Sequence, residues 1–323
     1  MNYKLRSFII LSLLCSAIIA NAQTATIHFD FTVSKDDKAD FKTVQEAINA
    51  VPDFRKNVTT IRIKNGIYKE KLTLPATKTN VRLVGEDPLR TILTYDDFYT
   101  RKNRFGEDIG TTGSSSFFIF GDGFTAENIT FENSAGPVGQ AVAVRVDGDR
   151  QTFINCRFIG NQDTLYPHAE KSRQYYKDCY IEGTVDFIFG PSTCIFENCT
   201  IFCKKEGFAT AASTIEGTPY GYVFLNCRIT GDAAQNSFFL GRPWRPFAKT
   251  VFVNCFLDKH IKPEGWNNWN KPDAEKTSFY AEYKSTGPGA SPNTRVAWSH
   301  QLTDDEAKLY TVKSIFVDWE PGK

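Results

Sequence analysis

The sequence predicts an all-β chain folded as a parallel β-helix, and three observations lead there. The first is a repeated tetrapeptide of an aromatic residue, a variable residue, Asn or Asp, and Cys; its copies end at Cys156, Cys179, Cys199, Cys227 and Cys255, with a weaker copy ending at Ile129. The second is the spacing of 27, 23, 20, 28 and 28 residues between copies. The third is that short β-prone stretches and polar turns follow each copy, with no long helical periodicity. Repeats of roughly 20–30 residues built from short strands indicate a solenoid whose coils stack on one another.

Residues 1–22 have the form of a secretory signal peptide. Lys4 and Arg6 precede a mostly apolar run over residues 8–19, and the Ala-Asn-Ala that ends at Ala22 supplies the small residues of a cleavage site. A membrane anchor is the alternative, but about 12 apolar residues are too few to span a bilayer. The sequence therefore predicts a secreted or periplasmic protein, cleaved near Ala22.

Residues 23–323 are expected to form a single β-helix domain, although this length alone would suggest two domains. Residues 40–51 place apolar side chains at helical spacing behind Asp40, which predicts a short amphipathic helix that closes the N-terminal end of the solenoid. A weaker helix pattern lies near the other end, at 302–310. Residues 258–295 are rich in Trp, Pro, Gly and Asn and are interpreted as long loops.

The charge balance argues against a nucleic-acid partner. The chain has 38 Lys and Arg against 37 Asp and Glu, and loss of Lys4 and Arg6 with the signal peptide leaves 36 basic and 37 acidic residues, a net charge of −1. A nucleic-acid-binding protein would carry a strongly basic surface. No segment after the signal peptide is apolar and long enough to span a membrane. We expect no nucleic-acid partner, no membrane insertion and a monomeric protein.

Seven cysteines remain once Cys15 is removed with the signal peptide: five at the repeat position, together with Cys194 and Cys203. Cysteines in an exported protein suggest disulfides, but seven cannot all pair within one chain. The shared repeat position instead predicts reduced thiols that face inward on successive coils, as small buried side chains. One or more disulfides are the alternative.

The repeat also brings two aspartates into register. Asp163 lies seven residues after Cys156, and Asp186 lies seven residues after Cys179. Because adjacent strands are about 4.8 Å apart, the two carboxylates should lie on the order of 5 Å from each other, too close for both to ionise readily. Such a pair suits a proton donor and a nucleophile, and it also suits a Ca²⁺ site.

The segment GTVDFIFG, residues 183–190, is interpreted as an apolar strand that contains Asp186. Strand alternation would put Phe187 and Phe189 on one face and Asp186 on the other. Glu206 has the same seven-residue offset from its own repeat cysteine, but the surrounding CKKEGF is typical of a loop. Glu206 is therefore expected to be a bystander.

With these residues in view, the chain resembles the pectin methylesterases, or pectinesterases, from about residue 38 to residue 317. The resemblance depends on five ordered motifs: GIYKE at 66–70, QAVAVR at 140–145, QDTLY at 162–166, GTVDFIFG at 183–190 and LGRPW at 240–244. It implies a right-handed parallel β-helix that hydrolyses the methyl esters of polygalacturonate. It also implies pectin or a methylated oligogalacturonide as the partner, and no metal or other cofactor.

The resemblance implies roles for individual residues. Asp186 matches a nucleophile that attacks the C6 ester carbonyl, and Asp163 matches the acid that protonates the departing methanol and then activates water. Gln140 and Gln162 match amides that hydrogen-bond the oxyanion, and Arg242 matches a guanidinium that orients and ionises the nucleophile. Without the resemblance, Gln140 and Gln162 could be structural amides that hydrogen-bond between stacked coils, and Arg242 could simply bridge two coils.

The resemblance also implies residues that contact the substrate. Trp244 matches a platform on which a sugar ring stacks, and Thr111 lies where the family has a substrate-contacting threonine. Tyr166, Phe189 and Trp266 are further candidates for the groove wall, although Trp266 could instead pack within its loop. Two alternative functions stay open: another β-helical polysaccharide enzyme (a lyase or a polygalacturonase), or a carbohydrate-binding β-helix without catalysis.

Overall fold

A computed structural model of the protein describes residues 27–36 and 38–322. The predicted signal peptide, residues 1–22, lies outside the described residues. Within them, the strands form three sheets in which neighbouring strands run parallel.

The strands of the first sheet are, in spatial order, β1 (Phe31–Val33), β2 (Thr59–Ile63), β5 (Val81–Gly85), β8 (Thr125–Glu127), β11 (Gln151–Ile154), β14 (Arg173–Lys177), β17 (Thr193–Glu197), β20 (Tyr222–Leu225), β23 (Lys249–Val253), β25 (Phe279–Tyr283) and β26 (His300–Gln301). Those of the second sheet are β3 (Gly66–Lys69), β6 (Thr91–Tyr95), β9 (Thr130–Asn133), β12 (Arg157–Ile159), β15 (Tyr180–Gly183), β18 (Thr200–Cys203), β21 (Arg228–Gly231) and β24 (Phe256–Leu257). Those of the third sheet are β4 (Leu72–Leu74), β7 (Phe117–Ile119), β10 (Val144–Val146), β13 (Leu165–Pro167), β16 (Ile188–Gly190), β19 (Gly207–Ala212) and β22 (Phe238–Gly241).

Successive strands visit the three sheets in turn, so that β2, β3 and β4 make one coil and β5, β6 and β7 the next. Each strand pairs with the equivalent strand of the neighbouring coil, as β14 does with β11 and β17. This arrangement is a parallel β-helix, and it confirms the predicted fold class.

The repeated Asn or Asp marks the bend between the first and second sheets. Backbone φ is positive, between 50° and 55°, at all six copies: Asn128, Asn155, Asp178, Asn198, Asn226 and Asn254. Asn and Asp tolerate this left-handed conformation better than other residues with a side chain. The tetrapeptide is therefore the sequence signature of a turn that recurs once per coil.

A buried cysteine follows five of these six bends, and Ile129 follows the sixth. All seven cysteines of the described chain are unbonded thiols. Each repeat cysteine donates its thiol to a backbone carbonyl of the preceding coil, as Cys179 does to Phe153 at 3.4 Å and Cys199 to Tyr176 at 3.4 Å. This agrees with the predicted ladder of inward-facing reduced thiols.

An aromatic column runs through the interior beside the thiols. Its rings stack with centroid separations of 4.9, 4.7, 4.5 and 4.4 Å, in the order Phe153, Tyr176, Phe196, Phe224 and Phe252. Stacked rings of this kind add to the stabilisation that their burial supplies. The core is therefore a continuous stack shared by successive coils.

Helix α1 (Val44–Ala50) forms within the predicted range of 40–51 and buries Val44, Ala47 and Ile48. It contacts β1 and β4, which are the end strands of the first and third sheets. Thr43 and Glu46 form a capping box at its start.

At the C-terminal end, a helix forms at Asp304–Ala307, within the range 302–310 where the weaker pattern predicted one, whereas the range 258–295 differs from its interpretation as loops. The remaining short helices are α2 (Gly110–Gly113), α3 (Pro272–Thr277), α4 (Asp304–Ala307) and α5 (Val312–Phe316), with a 3₁₀ turn at Pro292–Thr294. Ile315 and Phe316 of α5 pack on the outer face of the first sheet, against side chains of β14, β17, β20 and β23. The range 258–295, interpreted as loops, contains α3 and the sheet strand β25. The sequence analysis missed them because elements this short, between polar residues, leave little periodic signal. None of the helices in the described part of the chain is long and apolar enough to cross a membrane.

Candidate active site

The site is a cavity of about 530 Å³ beside the third sheet. Nine of the ten predicted site residues line it: Thr111, Gln140, Gln162, Asp163, Tyr166, Asp186, Phe189, Arg242 and Trp244. Gln140, Gln162, Asp163 and Asp186 belong to neighbouring coils of the β-helix. The fold therefore brings together residues from widely separated parts of the sequence.

The two aspartates are in register, as the repeat spacing predicts. Leu165 pairs with Ile188 across β13 and β16, which puts the residues two positions earlier, Asp163 and Asp186, side by side. The backbone N–H of Asp163 donates to the carbonyl of Val185 at 3.1 Å. Both side chains are buried, with exposed fractions of 7% for Asp163 and 6% for Asp186.

The local interpretation of Asp186 was wrong in one respect. Asp186 lies in the bend before β16, not inside a strand, and its φ is 51°, close to the 65° of Asp163. Without regular alternation, Phe187 packs into the interior whereas Phe189 faces the cavity. The bend explains how an apolar segment presents a carboxylate.

Arg242 holds Asp186 through two parallel hydrogen bonds. Its Nε donates to Oδ1 at 2.9 Å and its Nη2 donates to Oδ2 at 2.7 Å. The guanidinium carbon lies 3.8 Å from the ring centroid of Phe208 and 3.7 Å from that of Trp269. This packing between two rings fixes the plane of the guanidinium and so the orientation of the carboxylate.

The two carboxyl groups differ in their electrostatic surroundings. Burial, followed by the charge of Asp186, raises the pKa of Asp163 well above its ordinary value. Burial also raises the pKa of Asp186, but the hydrogen bonds and charge of Arg242 and the charge of Lys271 oppose that rise. The proton shared by such a pair therefore belongs on Asp163, which leaves Asp186 as the carboxylate.

Gln140 and Gln162 lie side by side on adjacent coils next to the aspartates. Their backbones form an isolated parallel bridge, and Ala141 N–H donates to the carbonyl of Gln162 at 3.2 Å. Both residues line the cavity. Two primary amides at one wall can donate N–H groups to an oxygen that gains negative charge.

One wall of the cavity is aromatic. Tyr166 and Phe189 stack with their centroids 4.0 Å apart, and the ring of Trp244 lies 6.3 Å and 5.9 Å from them. Aromatic faces of this size suit the apolar faces of sugar rings and ester methyl groups. The wall agrees with the positions expected of Tyr166, Phe189 and Trp244.

Trp266 does not reach the cavity, and its expected place in the groove wall was wrong. It is 1% exposed and packs 4.6 Å from Tyr280 in the interior, because a bridge to Gly241 extends the third sheet at this point. Trp269, three residues later, lines the cavity instead. Both tryptophans of GWNNW are present in the sequence, but the sequence does not indicate which of the two rings faces the cavity and which packs in the core.

A second recess of about 690 Å³ adjoins the cavity and shares Tyr166 and Trp244 with it. Its other lining residues include Asp147, His168 and Arg245. Arg145, from the motif QAVAVR, donates to both carboxylate oxygens of Asp147 at 2.7 and 2.9 Å. The two hollows therefore meet at the rings of Tyr166 and Trp244.

Comparison with known proteins agrees with this fold and site. A family model described as Pectinesterase matches residues 30–318. Pectinesterase 31 of Arabidopsis thaliana is 45% identical over 299 residues, which cover 90% of this chain and 93% of that protein. Several further Arabidopsis relatives are longer, and the chain spans about half of their length.

Solved structures give the same result. A pectin methylesterase from carrot superposes with a TM-score of 0.83 at 34% identity, over 91% of this chain and 95% of that one. A pectin methylesterase in complex with a hexasaccharide superposes with a TM-score of 0.81 at 31% identity, over 92% and 100%.

Fold, site and matches together define a β-helical hydrolase of carboxylic esters. The chain belongs to the pectinesterase family, as its five motifs predicted. Its activity is the demethylesterification of pectin. Membership in this family favours ester hydrolysis over the lyase, polygalacturonase and binding-module alternatives.

Proposed function

We propose that the cavity hydrolyses the C6 methyl esters of pectin with Asp186 as nucleophile and Asp163 as acid and then base. The observation that carries this proposal is that Arg242 pairs with Asp186 through both carboxylate oxygens. Arg242 opposes the rise that burial causes in the pKa of Asp186, whereas burial and the charge of Asp186 raise the pKa of Asp163 well above its ordinary value, which favours the proton on Asp163. Two neighbouring carboxyl groups whose surroundings separate their pKa values are the usual arrangement of an acid and a nucleophile.

In the first half of the reaction, a carboxylate oxygen of Asp186 attacks the ester carbonyl carbon. The carbonyl oxygen gains negative charge, and the amide N–H groups of Gln140 and Gln162 are placed to stabilise it. When the tetrahedral intermediate collapses, the carbon–oxygen bond to the methoxy group breaks and Asp163 gives that oxygen its proton. Methanol leaves, and an acyl anhydride links the galacturonate to Asp186.

In the second half, Asp163 is a carboxylate and accepts a proton from water. The resulting hydroxide attacks the galacturonate carbonyl of the anhydride, and the bond to the Asp186 oxygen breaks. The product is a galacturonate carboxylate, Asp186 returns as an anion, and Asp163 is protonated again. No step requires a metal, because Arg242 supplies the positive charge beside the nucleophile.

The aromatic wall and the adjoining recess are proposed to hold neighbouring sugars of the polymer. Trp244 borders both hollows, so a ring stacked on it lies where the chain passes from one to the other. Thr111 and Trp269 also line the cavity. We further propose that residues 23–323 act as one monomeric catalytic domain, exported after cleavage near Ala22, since residues 1–22 have the form of a signal peptide.

The test is methanol release from highly methylated pectin by Asp186→Asn. The amide has the size of the carboxylate but lacks its nucleophilic oxygen, so the rate should fall by about 10³-fold or more. Asp273→Asn is the matched control, because the Asp273 side chain is 96% exposed on α3. Near-wild-type turnover by Asp186→Asn would overturn the assignment. Loss of wild-type activity in EDTA, restored by Ca²⁺, would favour a metal-dependent site instead.

A further inference from the structure

Lys271 connects two parts of the cavity that are otherwise separate in sequence. Its Nζ donates to the carbonyl of Trp244 at 3.0 Å and lies 4.5 Å from the ring centroid of Trp269. Trp244 and Trp269 both line the cavity. One ammonium group therefore ties the aromatic wall to the segment between β24 and α3.

The backbone around Lys271 is built to hold this position. Trp269 and Asn270 have φ values of 57° and 54°, in the left-handed region. The side-chain oxygens of Asn267 and Asn268 accept from the N–H groups of Trp269 and Asn270 at 2.8 and 2.9 Å. Two consecutive left-handed residues with a side chain carry a conformational cost that local hydrogen bonds offset.

Lys271 also contributes to the charge around the nucleophile. The ionisable groups that act on Asp186 are Arg242, which forms the ion pair, Lys271, and the neighbouring Asp163. Beneath them, Tyr280 is buried and feels the charge of Asp186. Lys271 is the second cation of this group, and it acts without a direct bond to the carboxylate.

The position is unfavourable for the lysine itself. Burial and the charges of Arg245 and Arg242 lower the pKa of Lys271, whereas Asp186 raises it. A half-buried ammonium beside two guanidinium groups is destabilised by desolvation and by like charge. The carbonyl of Trp244 and the face of Trp269 are the contacts that hold it there.

We propose that Lys271 is a positioning residue that fixes Trp244 and Trp269 in the cavity walls and keeps a second positive charge beside Asp186. This inference rests on the role proposed for Asp186. It predicts that Lys271 has two effects: its hydrogen bond orders the sugar-binding wall, and its charge favours the ionised form of Asp186. Lys271 does not contact the reacting atoms and is not proposed as a catalytic residue.

The experiment compares Lys271→Met with Lys271→Arg in methanol release from pectin across pH. In Lys271→Met, the acid limb of kcat/KM should move to higher pH by about half a unit, which corresponds to about a threefold loss at a pH on that limb. The KM for pectin should rise as well, because Trp244 loses its anchor. Lys271→Arg keeps the charge and the donors, and should restore the wild-type acid limb.

Lys276→Met is the matched control, since Lys276 lies on α3, is 76% exposed and pairs with Asp273. It removes the same charge from the same segment and should leave both kcat/KM and the acid limb unchanged. A purely structural lysine would lower the melting temperature and kcat of Lys271→Met without moving the acid limb, and that result would overturn the proposal.

The Asp186→Asn variant separates the two levels of inference. If it stays active, the assigned nucleophile is wrong whatever Lys271→Met does. If Asp186→Asn is inactive and Lys271→Met has the wild-type acid limb and KM, only the role of Lys271 is wrong.

Discussion

At the scale of single residues, the proposed acid and nucleophile use the same backbone conformation as the structural bends. Asp163 and Asp186 have φ values of 65° and 51°, close to those of the repeated Asn residues. Aspartate adopts this conformation at lower cost than most residues do. The proposed catalytic pair thus occupies a type of bend that the fold already uses, and Asp→Asn changes there should preserve the backbone.

The raised pKa of Asp163 has a consequence for stability. Its folded-state pKa lies above that of the unfolded chain, so folding favours the protonated form, and stability decreases as pH rises above the ordinary Asp value of about 3.9. Asp163→Asn removes this titration. We expect it to increase the free energy of unfolding by about 0.5–2 kcal/mol at neutral pH, with a gain that shrinks as pH falls toward 4.

Urea unfolding of wild type and Asp163→Asn between pH 4 and pH 8 measures this difference. Asp273→Asn serves again as the exposed control and should show no pH-dependent change. A gain of equal size at every pH, or a loss, would show that the buried charge of Asp163 does not limit stability.

Sequence reasoning found the paired aspartates because two residues at the same offset from a repeated position lie opposite each other on adjacent coils. It placed Asp186 in a strand because the apolar residues around Asp186 do not indicate a bend. It placed Trp266 in the groove because local composition does not show which way a ring points. Trp269, Lys271 and Phe208 were missed for a related reason. Their importance comes from packing around Arg242 and Trp244, and those contacts join segments far apart in the chain.

At the scale of elements, the motif GIYKE illustrates how a family signature can be structural. Glu70, its last residue, accepts hydrogen bonds from the backbone N–H groups of Val44 and Gln45 at 2.9 and 3.0 Å. A carboxylate at this place satisfies free donors at the start of α1 and interacts well with the helix dipole. The helix itself was predictable from its spacing, but its anchor 26 residues later was not.

The bends make a second prediction at this scale. Asn198 has a φ of 54° and follows β17, with its N–H donated to Leu225 of the next coil at 3.0 Å. Asn198→Ala should lower the free energy of unfolding by about 1–2 kcal/mol, because alanine pays the full cost of the left-handed conformation. Asn198→Gly should be much milder, since glycine has no Cβ.

Urea denaturation of the two variants beside wild type measures the difference. If Asn198→Gly proved as destabilising as Asn198→Ala, the side-chain contacts of Asn198, rather than its backbone conformation, would be what the repeat preserves.

At the scale of the whole molecule, the thiol ladder and aromatic column make the coils interdependent. The buried thiols extend from Cys156 to Cys255, and burial raises the pKa of those up to Cys227 well above the ordinary value. A protonated, buried thiol reacts slowly with alkylating agents. Its labelling rate therefore reports how often its coil opens.

We expect a reducing agent to leave the melting temperature unchanged, since the described cysteines form no crosslink. In the native protein the seven thiols should be labelled slowly and at similar rates, as expected when one cooperative unit opens. Mass spectrometry of the alkylated peptides after timed labelling measures each site. Fast labelling of Cys255 alone would show that the C-terminal coils open separately, and intact disulfides would contradict the ladder.

The pairing of Leu165 with Ile188, 23 residues later, fixes how this kind of enzyme can lose its activity. Inserting or deleting one residue in the bend between β15 and β16, just before Asp186, would shift one carboxylate away from the other while every coil could still stack. A length change in the turn between β13 and β14 would not, since coils of different length already stack in register here. Activity could then disappear through an indel alone, with each site residue still present in an alignment. For proteins of this architecture, the alignment of the two aspartates on adjacent coils is thus a sharper criterion for annotating an esterase than the presence of both aspartates.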